Sequence, residues 1–140
     1  MERRVTINDY PLLEKNPEIL FTPDGINVKD VTLENYATGK IDKDDCRTSR
    51  SSLLYQAELA KQVGNFHLAK NFERAAEMVE IEGDEIIEIY NALRPFHSSE
   101  DDLRNIAAAL RERYGAERNA ELVEEAAVIL KKRKQLKGDR

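Results

Sequence analysis

The prolines and alanines of this 140-residue chain are kept apart, and that separation limits its fold more than any other feature. Pro11, Pro17 and Pro23 fall near the N-terminus, whereas thirteen of the fourteen alanines lie at or after Ala57. Proline fixes φ and carries no N–H, so the opening stretch cannot be one long helix. Its apolar residues, among them Val5, Ile7, Leu12, Leu13, Leu20, Phe21 and Val28, keep neither a helical period nor a long alternation. Residues 1–48 are therefore expected to form an extended arm with short helical turns, laid on another surface. One short helix is expected after Thr32, with Gly39 as its stop.

From Ser49 onward the grammar is helical. Ser49 or Thr48 can cap a helix carrying Leu53, Ala57, Ala60 and Val63, ended by Gly64. A second carries Leu68, Phe72, Ala75, Ala76 and Val79 and fades by Gly83. Asp84 is expected to cap a third, with Ile86, Ile87, Ile89, Tyr90 and Leu93, stopped by Pro95. Ser98 or Ser99, followed by three acids, starts a fourth with Leu103, Ile106, Ala107, Leu110 and Tyr114, ended by Gly115. The last runs from about Ala116, with Leu122, Val123, Ala126, Ala127 and Leu130 inward, to Gly138. Short connections imply antiparallel neighbours. The expected fold is all-α: an open up-and-down helical bundle over residues 49–140 with an irregular N-terminal arm.

Composition and charge then exclude several classes. The 27 acidic and 22 basic residues give a net charge of -5, which argues against a dedicated nucleic-acid binder. No stretch approaches the roughly 18 apolar residues of a membrane helix, and the start has no apolar run that would make it a secretory signal. With Cys46 alone, no internal disulfide can form, and a cytoplasmic location is expected. The charge is segregated: about -2 over residues 1–50, -8 over 51–130 and +5 over 131–140. The basic tail Lys131-Lys132-Arg133-Lys134 is accounted for by cations complementing a helix C-terminus.

No phosphate loop, CxxC pair, HExxH or GxSxG is present. His67 is expected on an exposed helix face and His97 in a loop. Cys46 has Arg47 beside it, which favours a thiolate, but nothing in the sequence identifies the base that a catalytic cysteine needs. The carboxylate pairs Glu73 with Glu77 and Glu85 with Glu88 read as solvated faces or salt-bridge partners. Two strings stand out instead. Arg74 sits among apolar positions in Asn71-Phe72-Glu73-Arg74-Ala75-Ala76-Glu77, and Arg94 ends a helix between aromatics in Ile89-Tyr90-Asn91-Ala92-Leu93-Arg94-Pro95-Phe96. Arginine and tyrosine carry interface energy; arginines reaching outward from an ordinary core account for the same strings equally well.

An ordered set of motifs gives these strings a context. Asp9-Tyr10-Pro11-Leu12, Asn16-Pro17-Glu18, Thr32-Leu33-Glu34-Asn35 and Gly39-Lys40 resemble the opening of the small subunit of adenosylcobalamin-dependent diol and glycerol dehydratases. The resemblance continues through Ser52-Leu53, Gln56-Ala57, Leu68-Ala69, Asn71 to Glu77 and Glu88 to Pro95. It closes with Glu125-Ala126-Ala127 and Leu136-Lys137-Gly138-Asp139. It departs at His97, where an arginine is expected, and at Cys46, a usually apolar position. The chain begins almost at the family's core motif. The longer extension that some diol dehydratase small subunits carry, and that is associated with bacterial microcompartments, is expected to be absent. This leans towards the glycerol-dehydratase-like branch and leaves encapsulation open.

The resemblance implies one subunit of a dimer of heterotrimers. The large subunit holds the diol, and adenosylcobalamin sits between the large and medium subunits. Radical dehydration gives an aldehyde, and the small subunit packs on the large one without catalytic, cofactor-binding or metal residues of its own. It is an enzyme only as part of that assembly. The expected interface residues are Tyr10, Pro11, Asn71, Phe72, Arg74, Tyr90, Asn91, Arg94 and Pro95. The alternative from a different class is a free-standing helical adaptor that binds an acidic partner through the basic tail or the Asn71–Glu77 face. A thiol enzyme using Cys46 is a third, minor reading.

Overall fold

The computed structural model describes residues 3–140. The fold is all-α: apart from one isolated bridge between Phe21 and Asn27, every regular element among the described residues is helical. The chain packs as two compact units, one extending to Val79 and the other spanning Glu80–Arg140.

In the first unit the arm takes the broken form that its prolines dictate. It has 3-10 turns at Ile7–Asp9, Pro17–Ile19 and Val28–Asp30, a one-turn helix α1 (Leu12–Lys15) and a short α2 (Leu33–Ala37). Thr32 caps α2 by accepting the Asn35 N–H, and Gly39 follows with φ +72°, a value that glycine meets without a Cβ penalty. Helix α3 (Arg50–Gln62) starts at Ser49, whose hydroxyl accepts the Ser52 N–H, and α4 (Phe66–Met78) starts at Asn65. The two pack along each other across the turn at Gly64.

The arm's inner face lies on α3. Val5 and Leu12, each almost fully buried, cluster with Leu59 and are edged by Ile19, Leu20 and Tyr55. Gln62 clasps the strand-like start of the arm. Its amide donates to the Val5 carbonyl and accepts the Ile7 N–H, both at 2.9 Å. The surface this face rests on is thus part of the same chain. The arm's other apolar residues, including Ile7, Tyr10, Leu13, Phe21, Leu33 and Tyr36, remain exposed.

The second unit contains α5 (Gly83–Ala92), α6 (Glu100–Tyr114) and α7 (Glu117–Lys132), with α6 and α7 packed against each other. Its core comes from Leu103, Ala107 and Leu110 of α6 and Ala120, Val123, Ala127 and Leu130 of α7. Ser99 and Asp102 form a reciprocal capping box at the start of α6, and Gly115 closes that helix at φ +59°.

Several expectations are corrected here. Asp84 does not cap α5; the cap position is Glu82, and Asp84 and Glu85 sit in the first turn, where acids favour the helix dipole. Helix α7 stops at Lys132 rather than continuing to Gly138, because the chain beyond it turns back. The Phe96 N–H donates to the Gln135 carbonyl at 2.6 Å and the Lys137 N–H to the Ser98 carbonyl at 2.9 Å. Val63, Leu68, Ile87 and Tyr90 lie exposed instead of inward. On α4 the buried row passes through Ala69 and Ala76, and on α5 the inner row is Ile86, Ile89 and Leu93. A residue one place from such a row is rotated by about 100°.

Candidate functional site

Several of the side chains that chemistry could use are tied to partners within the chain. The Cys46 thiol donates to the Asp42 carbonyl at 3.4 Å, an acceptor that cannot take its proton. Arg47, the cation that favours a thiolate, turns its Nε to the Asp44 carbonyl at 3.0 Å. Glu73 pairs with Lys61 at 2.5 Å. Glu85 accepts the Tyr114 hydroxyl at 2.6 Å and Arg113 at 2.8 Å; that hydrogen bond, first among its causes, holds the Tyr114 phenol above its ordinary pKa. Arg111 links two carboxylates, Glu117 at 3.0 Å and Glu124 at 2.6 Å. Hydrogen bonding to Arg111 in turn holds the Glu124 carboxyl below its usual range.

His67 and His97 are exposed, and among the described residues no three His, Cys, Asp or Glu side chains gather to hold a metal ion. An open groove of about 330 Å³ lies between the arm and α3, lined by residues such as Leu13, Phe21, Val28, Cys46, Leu53 and Gln56. It is mostly apolar and contains no histidine. No helix among the described residues is long and apolar enough to cross a membrane.

The basic tail is answered in part from within. Lys131 pairs with Glu100 at 2.7 Å, and Lys137 contributes to the field that keeps Asp102 ionised; the largest cause there is the hydrogen bond from the Ser99 N–H. The Arg140 guanidinium stacks 4.1 Å from the centre of the Phe96 ring.

The residues expected at an interface fall into three places. In the arm, Tyr10 is exposed and Pro11, joined to it by a cis peptide bond, is half-buried. On α4, Asn71 is exposed and accepts a hydrogen bond from Arg74; Arg74 and Phe72 are half-buried. At the end of α5, Tyr90, Asn91, Arg94 and Pro95 are all exposed. Spacings of three and four residues put Ile87, Tyr90 and Asn91 on the exposed side of α5, away from half-buried Ile86 and Ile89, and Arg94, just past the helix end, is exposed as well. Sequence reasoning missed Ile87 as a surface residue and also missed buried Asn119 and Glu77. Each has the same local spacing as its neighbours and gives no separate signal.

Comparison with known proteins gives these surfaces a setting. The profile of the family described as Dehydratase small subunit matches residues 5–137. The propanediol dehydratase small subunit of Citrobacter freundii is 47% identical over 133 residues, covering 95% of this chain and 77% of the relative. That of Salmonella typhimurium is 44% identical over 137 residues, covering 98% of this chain and 79% of the relative. Matches of this extent, along nearly the whole chain, show that the protein belongs to the dehydratase small-subunit family.

Proposed function

We propose that this chain is the small structural subunit of a diol dehydratase and takes part in its lyase reaction only within the assembled enzyme. The observation that carries the reading is the match to two propanediol dehydratase small subunits along nearly the whole chain. It is supported by the use of the chain's carboxylates and arginines as internal ties, and by the apolar side chains that both units leave outward, among them Leu33, Tyr36, Ile87 and Tyr90.

In this reading the chain packs on a large subunit in a cytoplasmic dimer of heterotrimers with a medium subunit. The surfaces available for that packing are the outward face of the arm (Tyr10, Pro11), the Asn71–Arg74 face of α4 and the end of α5. Adenosylcobalamin, held by the other subunits, would supply the radical chemistry of the assembled enzyme. The residues of this chain bind and orient neighbouring protein and move no proton or hydrogen of the substrate.

The test is omission. The large and medium subunits are expressed with and without this chain, supplied with adenosylcobalamin and 1,2-propanediol or glycerol, and assayed for aldehyde. Loss of soluble assembly and of activity without the chain, restored by adding it, is the expected result. Full activity and an unchanged elution volume in its absence would end the proposal.

A further inference from the structure

The segment after α7 is built to hold one loop. Phe96 adopts φ +66°, a left-handed conformation that a bulky side chain seldom takes unless its surroundings impose it. Three contacts impose it here, all from the last six residues: the bond from its own N–H to the Gln135 carbonyl, the Lys137 N–H on the Ser98 carbonyl, and Arg140 over its ring. Lys134, itself at φ +53°, makes the reversal that brings this strap back. What lies directly before the strained residue is the outward end of α5: Ile87, Tyr90, Asn91, Arg94 and Pro95, all exposed.

That patch has the make-up of an interface centre, an aliphatic and an aromatic side chain beside an arginine. Arg94 takes part in no ion pair among the described residues: the nearest acids on its two flanks, Glu88 and Glu100, do not pair with it. Glu85 holds Arg113 and Tyr114, and Glu100 holds Arg104 and Lys131. A cation left without an internal carboxylate, beside exposed Tyr90 and Ile87, is complementary to an apolar surface that presents a carboxylate.

We infer that the end of α5 docks a carboxylate-bearing apolar surface of a neighbouring dehydratase subunit, and that the C-terminal strap, through Phe96, fixes Arg94 and Pro95 in the docking geometry. The inference rests on the subunit reading above. Arg94 and Tyr90 touch the partner; Phe96, Gln135 and Arg140 are positioning residues.

The test measures binding of the purified chain to the immobilised remainder of the dehydratase at several salt concentrations. Arg94→Glu should weaken binding about 30-fold or more with an unchanged melting curve, and the residual binding should lose most of its salt dependence. Truncation after Arg133 should cost about tenfold. In the truncated chain Phe96→Gly should recover part of that loss, because glycine accepts positive φ freely, whereas Phe96→Ala should not. If truncation unfolds the second unit, the double variant Lys137→Pro with Arg140→Ala removes two of the three contacts and takes its place, with the same glycine rescue. Equal affinity for wild type and Arg94→Glu would overturn the docking surface. A truncation loss that neither Phe96 variant relieves would mean that the strap itself meets the partner, and would overturn the positioning role. Absence of any binding by the wild-type chain would instead defeat the parent reading.

Discussion

Two adjacent leucines in the arm should behave in opposite ways. Leu12 is 2% exposed and packs with Val5 and Leu59; Leu13 is 59% exposed. Leu12→Ala removes three carbons from a cluster whose rim, Ile19, Leu20 and Tyr55, is only partly buried and so can close over part of the void. Buried leucine-to-alanine changes cost about 3–5 kcal/mol where the site cannot collapse, and the lower end, about 3 kcal/mol, applies here. Leu13→Ala forfeits little folded-state burial and should stay within about 0.5 kcal/mol. The assay is urea unfolding combined with amide exchange at Ile7 and at Asn16, whose N–H is held by the Leu12 carbonyl, which reads the arm separately from the second unit. Leu12→Ala should speed exchange at Ile7, whose N–H is held by Gln62, and leave the second unit's protection intact. Equal costs for the two leucines, or a silent Leu12→Ala, would refute the docking of the arm's inner face on α3.

Two further outcomes follow from the caps and charges. Ser99→Ala removes the acceptor for the Asp102 N–H and should lower the stability of the second unit by about 1 kcal/mol, measured by thermal melting, while Ser99→Asp should restore most of it. Asp9, Glu100, Asp102 and Glu124 all titrate below the ordinary values of 3.8 for Asp and 4.5 for Glu. As pH falls the unfolded chain takes up these protons first, so the stability they add is complete above the ordinary values and fades as pH drops through the folded ones. Unfolding free energy should therefore decline below about pH 5. Stability that stays flat from pH 6 to pH 3 would contradict those contacts.

Local chemistry was legible in the sequence and distant contact was not. Ser49, Thr32 and Ser99 as caps, and Gly64 and Gly115 as stops, are visible because capping needs only a side-chain oxygen or a missing Cβ within a few residues. The end of α7 was misread at Gly138 because the reversal occurs at Lys134, a residue with no turn signature. It is held there by bonds to Phe96 and Ser98, far away in sequence. The arm's inner face was hidden for the same reason: Val5 and Ile7 meet Gln62 across more than fifty residues. Among the candidate surfaces, Tyr90, Asn91, Arg94 and Pro95 were found by residue type and lie exposed, but Ile87 looked like core. An Ile-Ile pair offers two faces of a helix equally, and only the packing of Ile86 and Ile89 decides between them.

The division at Val79 also bears on how such a chain meets a partner. Each unit carries its own core and its own outward apolar residues, so each can contribute an independent part of a binding surface. In the proposed reading, the arm and α3 would supply one such part and the end of α5 with its strap the other. Contacts made by both would add in free energy, and losing one should weaken assembly without unfolding the other unit.

The central claim, that this protein acts as a supporting subunit, is tested most directly by native mass spectrometry of the chain mixed with the large and medium dehydratase subunits. The account predicts one complex holding two copies of each of the three chains, with little of this protein left free. A 16.1 kDa species that persists alone at saturating partner, beside a partner complex that lacks it, would contradict the account.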